Sequence, residues 1–290
     1  MKRILITGKD SYIGTNFKKY LEQYPDDYYV EELDVRDENW KEFDFSQFDV
    51  VYHVAGIAHS TPDESQRELY YKVNTDLTYD IALKAKKDQV KQFIFMSSII
   101  VYGSGVIGED RIITKDTPLT PDNFYGDSKK QAEMKIGPLE DGNFKIVIVR
   151  PPMIYGPGSK GNYPLLAKFA KKTPIFPTLE NKRSMLFLGN LMEFIKLMID
   201  NKESGVYLPQ NEDYISSKEL VKEIAKIYQH KILFIGLFNP IIKLFYKQTY
   251  INKIFGNLTI DKESSKYQQN YCIYSFYDSI ELAEKELWKY

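Results

Sequence analysis

Residues 3–14 read Arg3-Ile4-Leu5-Ile6-Thr7-Gly8-Lys9-Asp10-Ser11-Tyr12-Ile13-Gly14 and open the chain with a short apolar run, a glycine turn and the start of an amphipathic stretch. The run at 3–7 has the composition of a buried strand, and the stretch at 13–24 has helical spacing. Gly8 permits a tight turn, and Gly14 permits close packing of helix on strand. Backbone N–H groups at Tyr12 and Ile13 would face a pyrophosphate at the positive end of that helix. Ser11 stands where a middle glycine is usual in such turns. Taken alone, the turn is equally at home in an ordinary strand–turn–helix.

The pattern repeats down the first half. Strands are expected at 28–34, 49–53, 93–97 and 145–150, and helices at 72–87 and 125–136. The helix at 72–87 carries its apolar spacing through Val73, Leu77, Ile81 and Ala85. Continuous apolar strands alternating with amphipathic helices imply an α/β fold, a parallel sheet covered on both faces. Such sheets bind ligands at the carboxyl ends of their strands. After Arg150 the regularity weakens through Pro151-Pro152, Gly156-Pro157-Gly158 and Gly161, and helices are expected at 163–172, 191–201 and 217–228. We read 1–151 as a cofactor-binding portion and 152–290 as a smaller C-terminal substrate lobe interleaved with the sheet. In 240–255, Ile241, Leu244, Phe245, Ile251, Ile254 and Phe255 stand among lysines. A membrane-surface helix and a helix pair packed on the body or on a partner subunit both account for this. The packed pair is the expectation, because the lysines are sparse.

Composition narrows the classes. Of 290 residues 43% are hydrophobic and 27% charged, with a net charge of −1, which gives no electrostatic case for nucleic acid or an anionic membrane. Cys272 is the single cysteine, and no zinc-type spacing occurs. The apolar start is too short for a signal peptide, and no apolar run reaches a membrane span. A cytoplasmic protein without membrane insertion is expected.

The chemistry-bearing string is Tyr125-Gly126-Asp127-Ser128-Lys129, one long loop after a strand ending in Ser97-Ser98. A tyrosine and a lysine four apart lie on one helical face, and the ammonium is expected to lower the phenol's pKa. Ser98 supplies a second hydrogen bond, so the set could move a proton on or off a sugar hydroxyl or ketone. Asn74 can satisfy backbone groups or hold a water beside Lys129. In His53-Val54-Ala55-Gly56-Ile57-Ala58-His59, small residues such as Ala55 would let a cofactor lie against backbone, with His53 packed in its strand rather than acting as base or ligand. Asp34 can grip both ribose hydroxyls of an adenosine, as in NAD. Arg36 can instead receive a 2′-phosphate, as in NADP, and the residues leave that choice open.

These strings, with Val73-Asn74, Val101-Tyr102-Gly103 and residues 150–157, resemble the extended short-chain dehydrogenase/reductase family, the NAD-dependent epimerase/dehydratase group acting on nucleotide sugars. The likeness covers nearly the whole chain and implies a Rossmann-like doubly wound fold with bound NAD or NADP. Within the family the chain is similar to reductases of UDP-4-keto-6-deoxy-N-acetylhexosamines that supply capsular polysaccharides. The resemblance implies Tyr125 as acid/base on the 4-oxygen, Ser98 as its hydrogen-bonding partner and Lys129 on the nicotinamide ribose. It assigns Gly8, Ser11, Tyr12, Ile13, Gly14, Asp34, Arg36 and Ala55 to the cofactor, and Asn162 and Arg183 to the UDP diphosphate. It also implies a homodimer through the helices carrying Asn74 and Tyr125. Three departures matter. Ile99 and Ile100 replace the Asp-Glu of 4,6-dehydratases, which argues against dehydration. Residues 37–48 are too few for the additional strand and helix of full-length relatives, so the adenine side should be abbreviated. Met153 replaces an asparagine that many relatives carry. What remains is 4-ketoreduction, with 4-epimerisation of a UDP-hexose as the alternative and a non-catalytic NAD(P)-binding sensor behind both.

Overall fold

The structure, a computed structural model, describes residues 1–58, 63–245 and 249–286. Six parallel strands form the central sheet: β1 (Lys2–Thr7), β2 (Tyr28–Leu33), β3 (Val50–His53), β4 (Gln92–Met96), β5 (Lys145–Val149) and β6 (Gly205–Tyr207), in the order β6-β5-β4-β3-β1-β2. Side chains alternate between the faces with the period of a strand. Leu5, Val51, Phe93, Phe95, Ile146 and Ile148 pack on one side with Ile81 and Ala85 of α2 (Leu77–Lys87) and Ala132 and Ile136 of α3 (Phe124–Ile136). Ile4, Ile6, Tyr52, Ile94, Val147 and Val149 pack on the other with Phe17 of α1 (Tyr12–Leu21) and Leu191 and Ile195 of α4 (Leu188–Asp200). Burial on both faces explains the apolar runs of β1, β3, β4 and β5, while the edge strands β2 and β6 are only partly covered.

The chain leaves β1 to pair with β2 on one side and returns as β3 on the other, so the switch point lies between β1 and β3. There the Thr7 carbonyl accepts the N–H groups of both Val54 and Ala55, each at 3.0 Å. Between β2 and β3 there is only a 3₁₀ turn (Glu38–Glu42) and a short apolar plug of Trp40, Phe45 and Phe48. β2 is therefore the sheet's edge, and the abbreviated adenine side expected from the sequence is present. Beyond residue 151 the chain returns to the body twice, with α4 on a sheet face and β6 beside β5. One apolar cluster joins Ile4 and Val149 to Leu186 and Ile224.

Two helices lie in 240–255, with 246–248 outside the described residues. In the second helix, Thr249–Phe255, Ile254 and Phe255 are buried, with Phe255 against the ring of Phe176. The first, Asn239–Leu244, leaves Ile241 and Leu244 exposed.

Two buried polar ties hold the helices to the sheet. His53 is fully buried; its Nδ1 meets Thr7 Oγ1 at 2.8 Å and its Nε2 meets Thr78 Oγ1 at 3.0 Å. The Thr78 hydroxyl donates to the Asn74 carbonyl at 2.8 Å. Nε2 must then be the protonated nitrogen and Nδ1 the acceptor from Thr7, the network satisfied by a neutral ring. Burial, with the positive charge of Lys129, drives the His53 pKa down to about 3. In the second tie, Glu133 of α3 accepts from Arg150 Nη2 at 2.6 Å and from the Ser97 hydroxyl, and Arg150 Nη1 donates to the Tyr102 hydroxyl at 2.6 Å.

His53 is neutral in the fold and takes a proton in the unfolded chain below its ordinary value of about 6.5, so acid favours unfolding. Its contribution is intact above about pH 6.5 and is lost towards pH 3, by up to about 1.4 kcal/mol per pH unit. In His53→Asn the slope of unfolding free energy between pH 6.5 and 4 should flatten by that amount, measured by urea unfolding. Glu133→Gln strands a buried guanidinium, for which we expect a loss of about 3–5 kcal/mol in the same experiment. Replacing both partners by apolar residues should recover most of it.

Candidate active site

The turn after β1 is built by crowding. Gly8 has φ +122°, and a Cβ there would lie 2.7 Å from the Ala55 nitrogen. A Cβ on Gly14 would lie 2.6 Å from Ser11 Oγ and 2.8 Å from Ile6. Both glycines thus let α1 start hard against β1 and the loop after β3. Ser11 caps α1: its hydroxyl accepts the Gly14 N–H at 3.1 Å. That explains why a serine serves where a glycine was expected, and it gives the side chain a structural task. Tyr12 and Ile13 form the first turn of α1, at the carboxyl end of β1.

Asp34 and Arg36 lie together past the end of β2. Arg36 Nε reaches both Asp34 oxygens at 2.9 and 3.0 Å, the Arg36 N–H donates to the same carboxylate at 3.0 Å, and Asp10 stands 3.6 Å from the guanidinium. The arginine's hydrogen bonds hold the Asp34 pKa down at about 2. The two residues read separately from the sequence are one exposed ion pair.

Ser98, Tyr125 and Lys129 come together at the carboxyl end of β4. Ser98 is extended (φ −163°, ψ 151°) and caps a 3₁₀ turn at Ile99–Tyr102, accepting the Ile100 N–H at 3.3 Å. Its hydroxyl lies close enough to the Tyr125 phenol to pull the phenol's pKa down. Asn123 caps α3 through the Gly126 N–H at 2.9 Å, placing Tyr125 and Lys129 in the first two turns on the face towards β4. Lys129 is buried, with Nζ 2.9 Å from the Met96 carbonyl and 4.6 Å from the centre of the Phe95 ring. Burial pulls its pKa down to about 8, and Glu133 on the next turn pulls the other way.

The direction of the tyrosine's shift is opposite to the one expected from spacing. The phenol of Tyr125 is pushed up to about 12, because its desolvation outweighs the opposing pull of Ser98. The i,i+4 spacing puts tyrosine and lysine on one face, but the ammonium is spent on the Met96 carbonyl, so at neutral pH the phenol is a proton donor.

Asn74 takes the first of its two expected roles. It lies in a π-helical turn, Tyr71–Asp76, that precedes α2. Its Oδ1 accepts the Ile57 N–H at 2.8 Å, and its Nδ2 donates to the Ile57 carbonyl at 3.1 Å and to Ser128 Oγ at 3.0 Å. The loop after β3 is thereby tied to α3. A Cβ on Gly56 would lie 3.0 Å from Asn74 Oδ1 and 3.1 Å from Lys129 Nζ, so the glycine leaves a bare backbone floor against which both side chains close. His59 lies outside the described residues.

Asn162 and Arg183 meet on one acceptor. Arg183 Nη1 is 2.5 Å and Asn162 Nδ2 is 3.3 Å from the Lys253 carbonyl. Burial alone lowers the Arg183 pKa, to about 10, and no carboxylate among the described residues pairs with it. A desolvated guanidinium without a counter-charge is suited to pairing with an anion. Arg183 bridges Leu258, and Leu258 packs with Ile99, Val101 and Tyr102, so this corner adjoins the segment after Ser98.

Sequence reasoning missed Ser128, Glu133 and Arg150. Glu133 was visible in principle: Tyr125, Lys129 and Glu133 repeat at intervals of four on one face of α3. Ser128 carried no signal, since only the fold sets it opposite Asn74.

Residues 4–214 match the NAD dependent epimerase/dehydratase family. A UDP-glucose 4-epimerase from Vibrio cholerae is 32% identical, over 91% of this chain and 89% of that protein. An N-acetyl-α-D-glucosaminyl-diphospho-ditrans,octacis-undecaprenol 4-epimerase from Escherichia coli O157:H7 is 31% identical, over 79% of this chain and 73% of that protein. Among solved structures, a mutant UDP-glucuronic acid 4-epimerase from Bacillus cereus, in complex with UDP-4-deoxy-4-fluoro-glucuronic acid and NAD, superposes with a TM-score of 0.76 at 18% identity, covering 99% of this chain and 100% of that one.

Proposed function

The chain belongs to the NAD dependent epimerase/dehydratase family, and from that premise we propose that it is an NAD(P)-dependent 4-epimerase of a sugar held through its diphosphate, a UDP-hexose in the first instance. The observation that carries the reading is the meeting of Ser98, Tyr125 and Lys129 at one strand end, with Ile99 and Ile100 where a dehydratase needs carboxylic acids. The redox step itself is supplied by NAD(P), which when bound accepts and returns a hydride. Residues 1–151 hold the cofactor, at Gly8, Ser11, Tyr12, Ile13 and Gly14 for the pyrophosphate, Asp34 and Arg36 for the adenosine, and Ala55 and Lys129 for the nicotinamide half. Residues 152–290 hold the sugar diphosphate, at Asn162 and Arg183. Tyr125 exchanges a proton with the sugar's 4-oxygen, and Ser98 holds that oxygen through the exchange. Lys129, charged below about pH 8, keeps a positive potential beside them.

Both named relatives are 4-epimerases, one of a nucleotide sugar and one of a lipid-linked sugar diphosphate. Arg183 and Asn162 suit either carrier, since both present a diphosphate. The 4-ketoreduction expected from the sequence becomes the second reading. It is favoured by the missing strand beyond β2, because a reductase must exchange its cofactor at every turnover and a thin adenine side eases release. A homodimer, a cytoplasmic setting and a role in surface polysaccharide synthesis complete the proposal.

The deciding experiment incubates the purified chain with UDP-glucose and with UDP-N-acetylglucosamine, without added cofactor, and follows the 4-epimers by NMR. Interconversion supports the epimerase; consumption of NAD(P)H only with a 4-keto-6-deoxy sugar supports the reductase. Tyr125→Phe should lower turnover roughly 10²- to 10⁴-fold with cofactor affinity nearly unchanged; near-normal turnover would remove the tyrosine from the mechanism. Arg183→Met should raise KM for the UDP-sugar about ten- to a hundred-fold with a smaller change in kcat, read by steady-state kinetics.

A further inference from the structure

Arg111 stands where three segments of the chain meet. Its Nη1 donates to the Ser104 carbonyl at 2.9 Å, and its Nη2 donates to the Tyr102 carbonyl and to Thr120 Oγ1, the latter at 3.4 Å. The Thr120 hydroxyl donates in turn to the same Tyr102 carbonyl at 3.2 Å. Gly103 makes this approach possible: its φ is +94°, and a Cβ there would lie 3.2 Å from both Nη atoms and 2.8 Å from the Thr120 carbonyl. Two of the three segments carry the groups of the active site. Tyr102 and Gly103 end the turn that Ser98 caps. Thr120 leads through Asp122, whose Oδ2 accepts the Ser104 N–H at 2.8 Å, to Asn123, the cap of α3. A Cβ on Gly126 would lie 2.7 Å from the Ile100 carbonyl, so α3 starts hard against the same turn.

The main chain of Arg111 is tied to the third segment. Its carbonyl accepts the Thr259 N–H at 3.0 Å, and Ile112–Ile113 pairs in parallel with Thr259–Ile260. Leu258, the residue before, donates its N–H to the Lys182 carbonyl at 3.1 Å and accepts the Ser184 N–H at 3.0 Å, which brackets Arg183. We propose that Arg111 is a positioning residue, holding the Ser98–Tyr125 pair at a fixed distance from the corner formed by Arg183 and Asn162. The inference rests on the proposed function in taking Ser98 and Tyr125 as the groups that act on the sugar, and it applies to epimerisation and reduction alike. A sugar held by its diphosphate presents its 4-oxygen at a reach set by its own bonds, so the phenol must wait at a matching distance. The backbone ladder from Arg183 to Arg111 fixes one end of that distance, and the guanidinium fixes the other. A planar guanidinium donates in several directions at once and holds all three oxygens in register, where an ammonium on a flexible stem would not. A misplacement of about 1 Å at such a site costs on the order of 10²-fold in rate.

The test compares the full-length chain with Arg111→Met and Arg111→Lys. The ladder to Thr259 is main chain and survives both, so UDP affinity, measured by calorimetry, should be unchanged. Turnover of the UDP-sugar should fall about ten- to a hundred-fold in Arg111→Met with little change in KM, and by less in Arg111→Lys. A residue that only supports folding would act whether or not Ser98 is present. In a Ser98→Ala background the Arg111→Met loss should instead shrink to about three-fold or less. Amide hydrogen exchange of the free chain reads the same geometry without any reaction. The N–H groups of Ile100, Val101 and Gly103 should exchange about ten-fold faster in Arg111→Met, with those of Leu258 and Ile260 unchanged. If the parent chain turns over no UDP-sugar, the assigned reaction fails, and exchange still decides the role of Arg111. Unchanged exchange at 100–103 overturns the proposal, as does an equal loss of turnover in both Ser98 backgrounds or a loss carried by UDP affinity alone. Should Arg111→Met not fold, Thr120→Val, which removes one oxygen from the cluster, should give smaller changes in the same directions, and their absence overturns it equally.

Discussion

A buried ammonium organises this molecule. Lys129 Nζ has left water to sit against the Met96 carbonyl and over the Phe95 ring, in the seam between α3 and β4. Desolvation makes that charge costly, as its lowered pKa records. The surroundings are arranged to tolerate it. Glu133 one turn along supplies the opposite charge, Gly56 gives the room a side chain would take, and His53 behind the same seam stays neutral. A protonated His53 would put a second positive charge beside the first in a medium that screens poorly. The neutral ring is therefore as much a part of the site as the residues that line it.

The same seam explains the π-helical turn. An i→i+5 turn inserts one extra residue into a helix, rotates the facing of the helix beyond it, and is found mostly at functional sites. Here the turn faces Asn74 towards the loop after β3 while Thr75 Oγ1 donates to the Ser128 carbonyl at 2.7 Å. Asn74 and Thr75 thereby fix α3 and that loop relative to each other through Ser128 and Ile57. Tyr125 and Lys129 share α3 with Ser128, so their separation from the Ala55–Gly56 floor is set by side-chain amide geometry rather than by apolar packing alone. Hydrogen-bond geometry is narrower than packing geometry, and a proton-transfer site needs the narrower tolerance.

How much of this could be read from the residues depends on what each feature is made of. The first five strands were legible to within a residue or two because of their apolar runs, whereas β6, three residues of which two are exposed, was not. Gly8 and Gly14 were legible because positive φ and close approach leave few alternatives. The π turn was not, since Val73, Leu77, Ile81 and Ala85 keep helical spacing straight through it. Nor was the direction of the Tyr125 shift. Spacing puts a phenol and an ammonium on one face, but which acceptor the ammonium chooses is decided by β4, and the sequence of α3 says nothing of it. The stretch at 240–255 left two readings open for a similar reason: an amphipathic stretch has the same composition whether its apolar side meets the core or the solvent.

The adenosine end shows where a single chain stops discriminating. Asp34 and Arg36 each suit one cofactor, and in the fold each holds the other. A diol at the ribose would have to compete with the guanidinium for Asp34, and a 2′-phosphate would have to compete with the carboxylate for Arg36. Both residues of the pair are substantially exposed, where water and salt take over lost contacts at little cost. Neither competition is therefore steep, and the pair biases the choice less than either residue alone would. With β2 as the edge of the sheet and no further strand behind it, little else on this side adds to the bias. At the other side of the sheet's switch point the ties are buried and specific: Lys129 holds the Met96 carbonyl, and Asn74 holds Ile57 and Ser128.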